Sequence, residues 1–279
     1  MSTVTISAAD VNKLRQLTGA GMMDCKKALT ECGGDFDAAV DWLRKKGQKV
    51  SEKRADRDVN EGVAVALLND DATSGIILAL GCETDFVAKN DDYVNFARSI
   101  AELALANKPA DKDALMNLDL NGMTVANAIS EQVGKIGEKI EVTDYAAIDA
   151  ASVVAYNHSN GKVSVLIGMN KAGDAVAEIG KDVAMQIAAM NPIAIDKDGV
   201  PEDVKQREME IGREQARAEG KPEQILDKIA TGKLEAYYKD NTLLNQKFVK
   251  DNSKSIRDVL AGVDKELSVT AFKRIALGA

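Results

Sequence analysis

One pattern is written twice along this chain: two short apolar runs either side of a polar turn, followed by a long stretch of helical period. The first copy is Val63-Ala64-Val65-Ala66-Leu67-Leu68, a turn at Asn69-Asp70-Asp71, and the run Ile76 to Leu80. Tyr93, Phe96, Ala97, Ile100 and Leu103 then recur every three to four residues in a helix through Leu105. The second copy is Val153-Val154-Ala155-Tyr156, a turn at Asn157-His158-Ser159-Asn160-Gly161, Val163 to Gly168, and a helix from about Ala175 to Met190. A hairpin closes locally, and the helix after it must bury its apolar face on the strands. The duplication therefore predicts an α+β core with helices on one face of antiparallel strands. Between the copies, Val125 to Ile136 reads as another helix, and Gly134 to Ile140 as its glycine-broken exit into an extended piece.

Ahead of the duplication lie three helical segments. Ser7-Ala8-Ala9-Asp10 has the form of a capping box, and Val11, Leu14 and Leu17 make one face before Gly19. A second helix spans about Met22 to Cys32 and stops at Gly33-Gly34; a third starts after Asp35 and carries Phe36, Ala39, Val40 and Leu43 on one face. Three short helices, each with one apolar face, predict a compact bundle in which Cys25 and Cys32 pack. The pattern of Leu, Thr-Gly-Ala-Gly, Cys-x-x-Ala-Leu and Gly-Gly-Asp before Ala-Val-x-Trp-Leu resembles the ubiquitin-associated domain, a likeness of fold alone.

From Val200 the character changes. Pro201 and Pro222 stand where a first helical residue is expected, and Gly220 falls just after the first segment. Two antiparallel helices, Pro201 to Glu219 and Pro222 to Tyr238, would each be roughly 25–29 Å long. Val204, Ile211, Ile225, Leu226 and Ile229 are too few to build a core, so the pair should project as an inserted coiled-coil hairpin. The segments Leu243 to Val249, Ile256 to Leu260 and Val269 to Leu277 would then complete the second copy. The expected organisation is a helical domain over 1–50, a linker over 51–60, a core N-subdomain over 61–150, the first part of a core C-subdomain over 151–199, the hairpin over 200–240, and completion of the C-subdomain with a short tail over 241–279.

Charge narrows the partners. Residues 1–57 hold 11 Lys and Arg against 8 Asp and Glu, so they carry +3 of a total of −8. The basic run Arg44-Lys45-Lys46 to Arg57 has no interleaved aromatics, and a solvated linker is expected there rather than a nucleic-acid surface. No apolar stretch approaches membrane-spanning length and the start lacks a basic region followed by an apolar run, which points to a cytoplasmic protein with no membrane partner. Three cysteines in 279 residues give no disulfide framework.

Chemistry is thinly supplied. The one histidine, His158, sits on a hairpin tip; a Cys82–His158 pair is conceivable, but Cys82 ends an apolar strand with no basic neighbour to lower its pKa. No zinc spacing and no phosphate loop occur, and Gly19-Ala20-Gly21 lacks the length and the Lys-Ser/Thr of a P-loop. No cofactor and no enzyme activity are expected. The stretch Glu83-Thr84-Asp85-Phe86-Val87 instead joins a strand to a helix, where binding residues tend to sit. Phe86 has two readings here, a side chain presented to a partner or a plug folded under the loop.

Five motifs carry a resemblance: Leu17 to Leu29 (LTGAGMMDCKKAL), Glu83 to Lys89 (ETDFVAK), Lys135 to Ile140 (KIGEKI), Gly220 to Glu223 (GKPE) and Asn245 to Asp251 (NQKFVKD). In this order they are similar to the bacterial elongation factor Ts family. The resemblance implies a guanine-nucleotide exchange factor for elongation factor Tu, bound in its GDP-bound and nucleotide-free forms, with no direct nucleic-acid contact and a homodimer left open. It implies that Thr84, Asp85, Phe86 and Val87 form a loop that enters the GTPase domain and dislodges Mg²⁺, with Phe86 as a wedge. Ile136, Gly137 and His158 would line the same contact; Arg15, Met22, Met23 and Lys26 would meet the GTPase domain, and Val249 another domain of the partner. At Met22 and Met23 a core role competes, with one of the two expected to be buried. Lys247 stands where the family pattern has proline, and the chain ends earlier than many members, which weakens the contacts expected there. The alternative class is a peptide- or ubiquitin-type binding module acting through the N-terminal helices alone.

Overall fold

The computed structural model describes residues 5–278. The chain divides into two compact units. The first comprises Met1–Val65, Leu78–Ala146 and Ala276–Ala279, the second Ala66–Ile77 and Ala147–Ile275.

The first unit starts with α1 (Ala8–Thr18), α2 (Met22–Glu31) and α3 (Phe36–Lys53). Ser7 caps α1 in a reciprocal box with Asp10, and Asp35 caps α3 by accepting the Ala38 amide. Val11, Leu14, Cys25, Ala28, Leu29 and Ala39 form the shared core, with Cys32, Phe36 and Trp42 against it. The third helix is not short. It has 18 residues and absorbs the basic run as far as Lys53. The solvated linker expected there is therefore corrected as far as Lys53, and beyond it residues 54–60 form neither helix nor strand; Lys46 pairs with Asp24, and Arg54 and Arg57 both reach Glu83. Helix α3 is long because its inner face lies against a further helix, so the charged face needs no core of its own.

That further helix comes after β1 (Glu61–Leu68), β2 (Ser74–Cys82), the single turn α4 (Asp85–Ala88), α5 (Asp91–Asn107) and α6 (Lys112–Met116); it is α7 (Val125–Ile136), which leads into β3 (Ile140–Asp149). Strand β2 is buried along its whole length, and the sheet order is β1-β2-β3. Of these strands, residues 61–65, 78–82 and 140–146 belong to the first unit. Helix α5 lays Tyr93, Ala97, Ile100, Ala101 and Ala104 inward, and the Tyr93 hydroxyl donates to the Leu80 carbonyl at 2.9 Å.

In the second unit β4 (Ser152–Asn157) pairs antiparallel with β5 (Val163–Met169), from Ser152 opposite Met169 to Asn157 opposite Ser164. Helix α8 (Asp174–Met190) packs on this hairpin through Val176, Val183, Ala184 and Ile187. The long helices α9 (Glu202–Ala218) and α10 (Glu223–Asn241) follow, with Pro201 and Pro222 at the N-cap rather than the first helical position. Along this pair Leu226 is buried together with the small residues Gly212, Ala216 and Ala230, while Ile211 and Ile225 stay exposed. A Cβ on Gly212 would lie 3.0 Å from the Ala230 Cα, so the helices meet nearly backbone to backbone. The chain then returns through β6 (Lys247–Phe248), β7 (Asp251–Ser255), α11 (Ile256–Val263) and β8 (Val269–Ala276). Strand β8 joins β5 to give the order β4-β5-β8, so the last strand does complete the second sheet.

Candidate partner-binding site

Between β2 and α5 the chain starts two helices within eight residues. Thr84, extended at φ −125° and ψ 154°, caps α4 by accepting the Val87 amide on its hydroxyl. Asn90 caps α5 by accepting the Asp92 and Tyr93 amides. A single turn bounded this way has one inner position, which Ala88 takes at 8% exposure. Phe86 precedes it by two residues, about 200° around the helix, and so points outward. Its exposure is 84%, which removes the plug reading. Asp85 pairs along the turn with Lys89 at 2.6 Å.

The turn is fixed from below by reciprocal contacts with the α7–β3 connection. Glu138 accepts the Thr84 amide at 3.0 Å and the Thr84 hydroxyl at 2.6 Å. Glu83 in turn accepts the Lys139 amide at 2.6 Å, together with Arg54 at 2.7 Å and Arg57 at 2.8 Å. Burial alone would raise the Glu83 carboxyl, but the Lys139 amide and the two guanidinium groups outweigh it and hold the group down at about 2. Lys139 closes the knot by donating to the carbonyls of Ala55 and Arg57.

Above this framework runs an open cleft of 480 Å³ lined by Phe86, Val87, Asn90, Tyr93, Gln132, Lys135, Ile136 and Gly19. Ile136 ends α7 at 37% exposure, and Gly137 follows it at φ 82°, a left-handed helix stop that suits glycine. Thus Phe86, Val87 and Ile136 share a cleft with Gly19, the stop of α1. On α2, Cys25, Ala28 and Leu29 face inward, which turns Met22, Met23 and Lys26 to solvent. Met22 is 51% and Met23 77% exposed, so the expectation that one of them is buried is corrected. Leu17 and Arg15 on α1 are exposed as well.

The other two residues belong to the second unit. His158 is exposed in the β4–β5 turn, where its amide donates to the Val163 carbonyl and its Nδ1 lies 2.8 Å from the Tyr156 hydroxyl. Val249, 43% exposed, donates its amide to the buried Gln186 side chain at 2.9 Å. Gln186 also donates to the Lys247 carbonyl at 3.0 Å, so the turn that holds lysine in place of proline is anchored through its backbone.

Sequence reasoning passed over Arg54, Arg57, Glu83 and Glu138 as functional candidates. A signal existed: Glu83-Thr84 and Glu138-Lys139 lie inside two of the motifs that carry the resemblance. Chemistry of a covalent kind finds little support at Cys82, whose thiol is buried, pushed up to about 11 chiefly by that burial, and donated to the Thr84 carbonyl at 3.2 Å. Among the described residues no group of three or more His, Cys, Asp or Glu could hold a metal ion, and no helix is long and apolar enough to cross a membrane.

Comparison with known proteins gives this arrangement a context. A family profile described as "Elongation factor TS" matches residues 83–279. An elongation factor Ts of Cytophaga hutchinsonii is 55% identical over 98% of this chain and 99% of its own length. Those of Christiangramia forsetii and Porphyromonas gingivalis are 51% and 43% identical, each over 98% or more of both chains. These matches put the chain among the translation elongation factors, in the nucleotide-exchange class. It belongs to the elongation factor Ts family.

Proposed function

We propose that this chain binds elongation factor Tu in the cytoplasm, in the GDP-bound and nucleotide-free forms, and speeds GDP release so that GTP can follow. The observation that carries the mechanism is the 84% exposure of Phe86 on a turn capped at both ends. Burying a phenylalanine is worth about 1.5–3 kcal/mol, and with Phe86 held outward most of that gain is left for a partner's pocket to supply. Entry of Phe86, flanked by Thr84, Asp85 and Val87, would part elements of the GTPase domain that hold the partner's Mg²⁺. Loss of that ion removes charge neutralisation from the nucleotide phosphates and weakens GDP. Linkage is reciprocal, so GTP weakens the exchange factor by the same factor as the exchange factor weakens GTP, and this ejects it afterwards.

Ile136 and Gly137 extend the contact beside Phe86, and Arg15, Met22, Met23 and Lys26 form a second contact with the GTPase domain. Exposed methionines suit that role because their side chains adapt to an uneven surface. His158 and Val249 are assigned contacts made by the second unit. In this reading the three N-terminal helices are a ubiquitin-associated-like docking domain, the two hairpin-plus-helix copies form the core, and α9–α10 is an inserted coiled coil. Stopped-flow release of a fluorescent GDP from elongation factor Tu tests the function. Strong acceleration is expected, and its absence with a partner shown to be active refutes the reading.

A further inference from the structure

We propose that Glu138 is a positioning residue for nucleotide exchange, holding the Phe86 turn outward through Thr84; this rests on the exchange function proposed above. A threonine hydroxyl has one proton to give. Donating it to Glu138 at 2.6 Å leaves the oxygen lone pairs for the Val87 amide, which reaches them at 3.5 Å, a long cap on the turn that bears Phe86 and one that a freely rotating hydroxyl would lose. The second oxygen of the same carboxylate takes the Thr84 amide at 3.0 Å, so both the backbone and the rotor of residue 84 are set by one group. On the opposite side Glu83 accepts the Lys139 amide, which makes the contact reciprocal: each carboxylate holds the backbone next to the other. Nothing apolar holds Phe86 in place, at 84% exposure beside a cleft that Val87, Tyr93 and Ile136 help line. Water favours collapse of the ring into that cleft, and the polar framework opposes it. Glu138 touches neither nucleotide nor partner in this account; it keeps the wedge extended before the partner arrives.

The test uses the full chain as Glu138→Gln, Thr84→Val and Thr84→Ser. Glutamine keeps the shape but puts a donor where an acceptor is needed; valine keeps the shape of threonine without its hydroxyl; serine keeps the hydroxyl. Two readouts apply: hydrogen–deuterium exchange of the Thr84 and Val87 amides without partner, and stopped-flow release of fluorescent GDP over a range of exchange-factor concentrations. In Glu138→Gln and Thr84→Val the Val87 amide should exchange about tenfold faster, and the limiting release rate should fall about tenfold while the half-saturating concentration moves less than about threefold. Thr84→Ser should restore the limiting rate to within about twofold. Unchanged limiting rates in Glu138→Gln and Thr84→Val would overturn the proposal, as would a loss confined to the half-saturating concentration. Failure of the unaltered chain to accelerate release would remove the exchange function and the positioning role with it, and the partner-free amide readout tells that outcome from a failure of Glu138 alone.

Discussion

Gly47 of α3 and Gly134 of α7 meet backbone to backbone: a Cβ on Gly134 would stand 2.8 Å from the Gly47 Cα. A Cβ on Gly47 would stand 3.0 Å from the Ser130 carbonyl oxygen. No side-chain rotation relieves either clash, so the helices must move apart. Gly134→Ala should therefore destabilise the chain by roughly 0–2 kcal/mol, the overpacking cost of about 1–3 kcal/mol less about 1 kcal/mol gained in helix propensity, and nearer the upper end because the atom it meets is backbone. Urea unfolding checks this, and an unchanged or raised midpoint would contradict it.

Glu83 gives the chain an acid-sensitive element. Its carboxyl is held at about 2 in the folded chain against an ordinary value of 4.5, so the unfolded chain binds the extra proton first as the pH falls. The stability it contributes is complete above the unfolded value and is lost as pH drops toward the folded one. Stability of the unaltered chain should fall more steeply than that of Glu83→Gln between about pH 5 and about pH 2. Urea midpoints measured across that range would show it; parallel profiles would contradict it.

What the sequence allowed, and what it hid, follows from range. Hairpins and amphipathic helices are local, so Val153 to Gly168 and Val125 to Ile136 were readable from period alone. The length of α3 was not, because its inner residue at the crossing is Gly47, which carries no hydrophobic signal. In the α9–α10 pair Leu226 is buried, as its apolar character suggests, but Ile211 and Ile225 are exposed and the close approach is made by Gly212 and Ala230, which carry no such signal. At the site, the motif Glu83 to Lys89 is legible in the sequence, yet the direction of Phe86 depends on which face Ala88 turns inward. The knot of Arg54, Glu83, Thr84, Glu138 and Lys139 joins residues 29 to 56 positions apart, and polar contacts at such separations leave no periodic trace.

Cys82 should react far more slowly than Cys32. It is fully buried and its thiol sits at about 11, so at pH 8 roughly one group in a thousand is thiolate, the reactive form. Alkylation of the native chain followed by peptide mass analysis should label the partly buried Cys32 well before Cys82, which reacts at full rate only on unfolding. Rapid native labelling of Cys82 would contradict this and would reopen the thiol-enzyme reading.

On the proposed mechanism, the exposed Phe86 on its capped turn drives nucleotide release. Stopped-flow release of fluorescent GDP from elongation factor Tu, compared for the unaltered chain and Phe86→Ala, tests it most directly. Because Phe86 is 84% exposed, the variant should unfold at an unchanged urea midpoint. Loss of about 1.5–3 kcal/mol of burial in the partner should slow the limiting release rate by roughly ten- to a hundredfold. Release that stays as fast with Phe86→Ala would contradict the wedge.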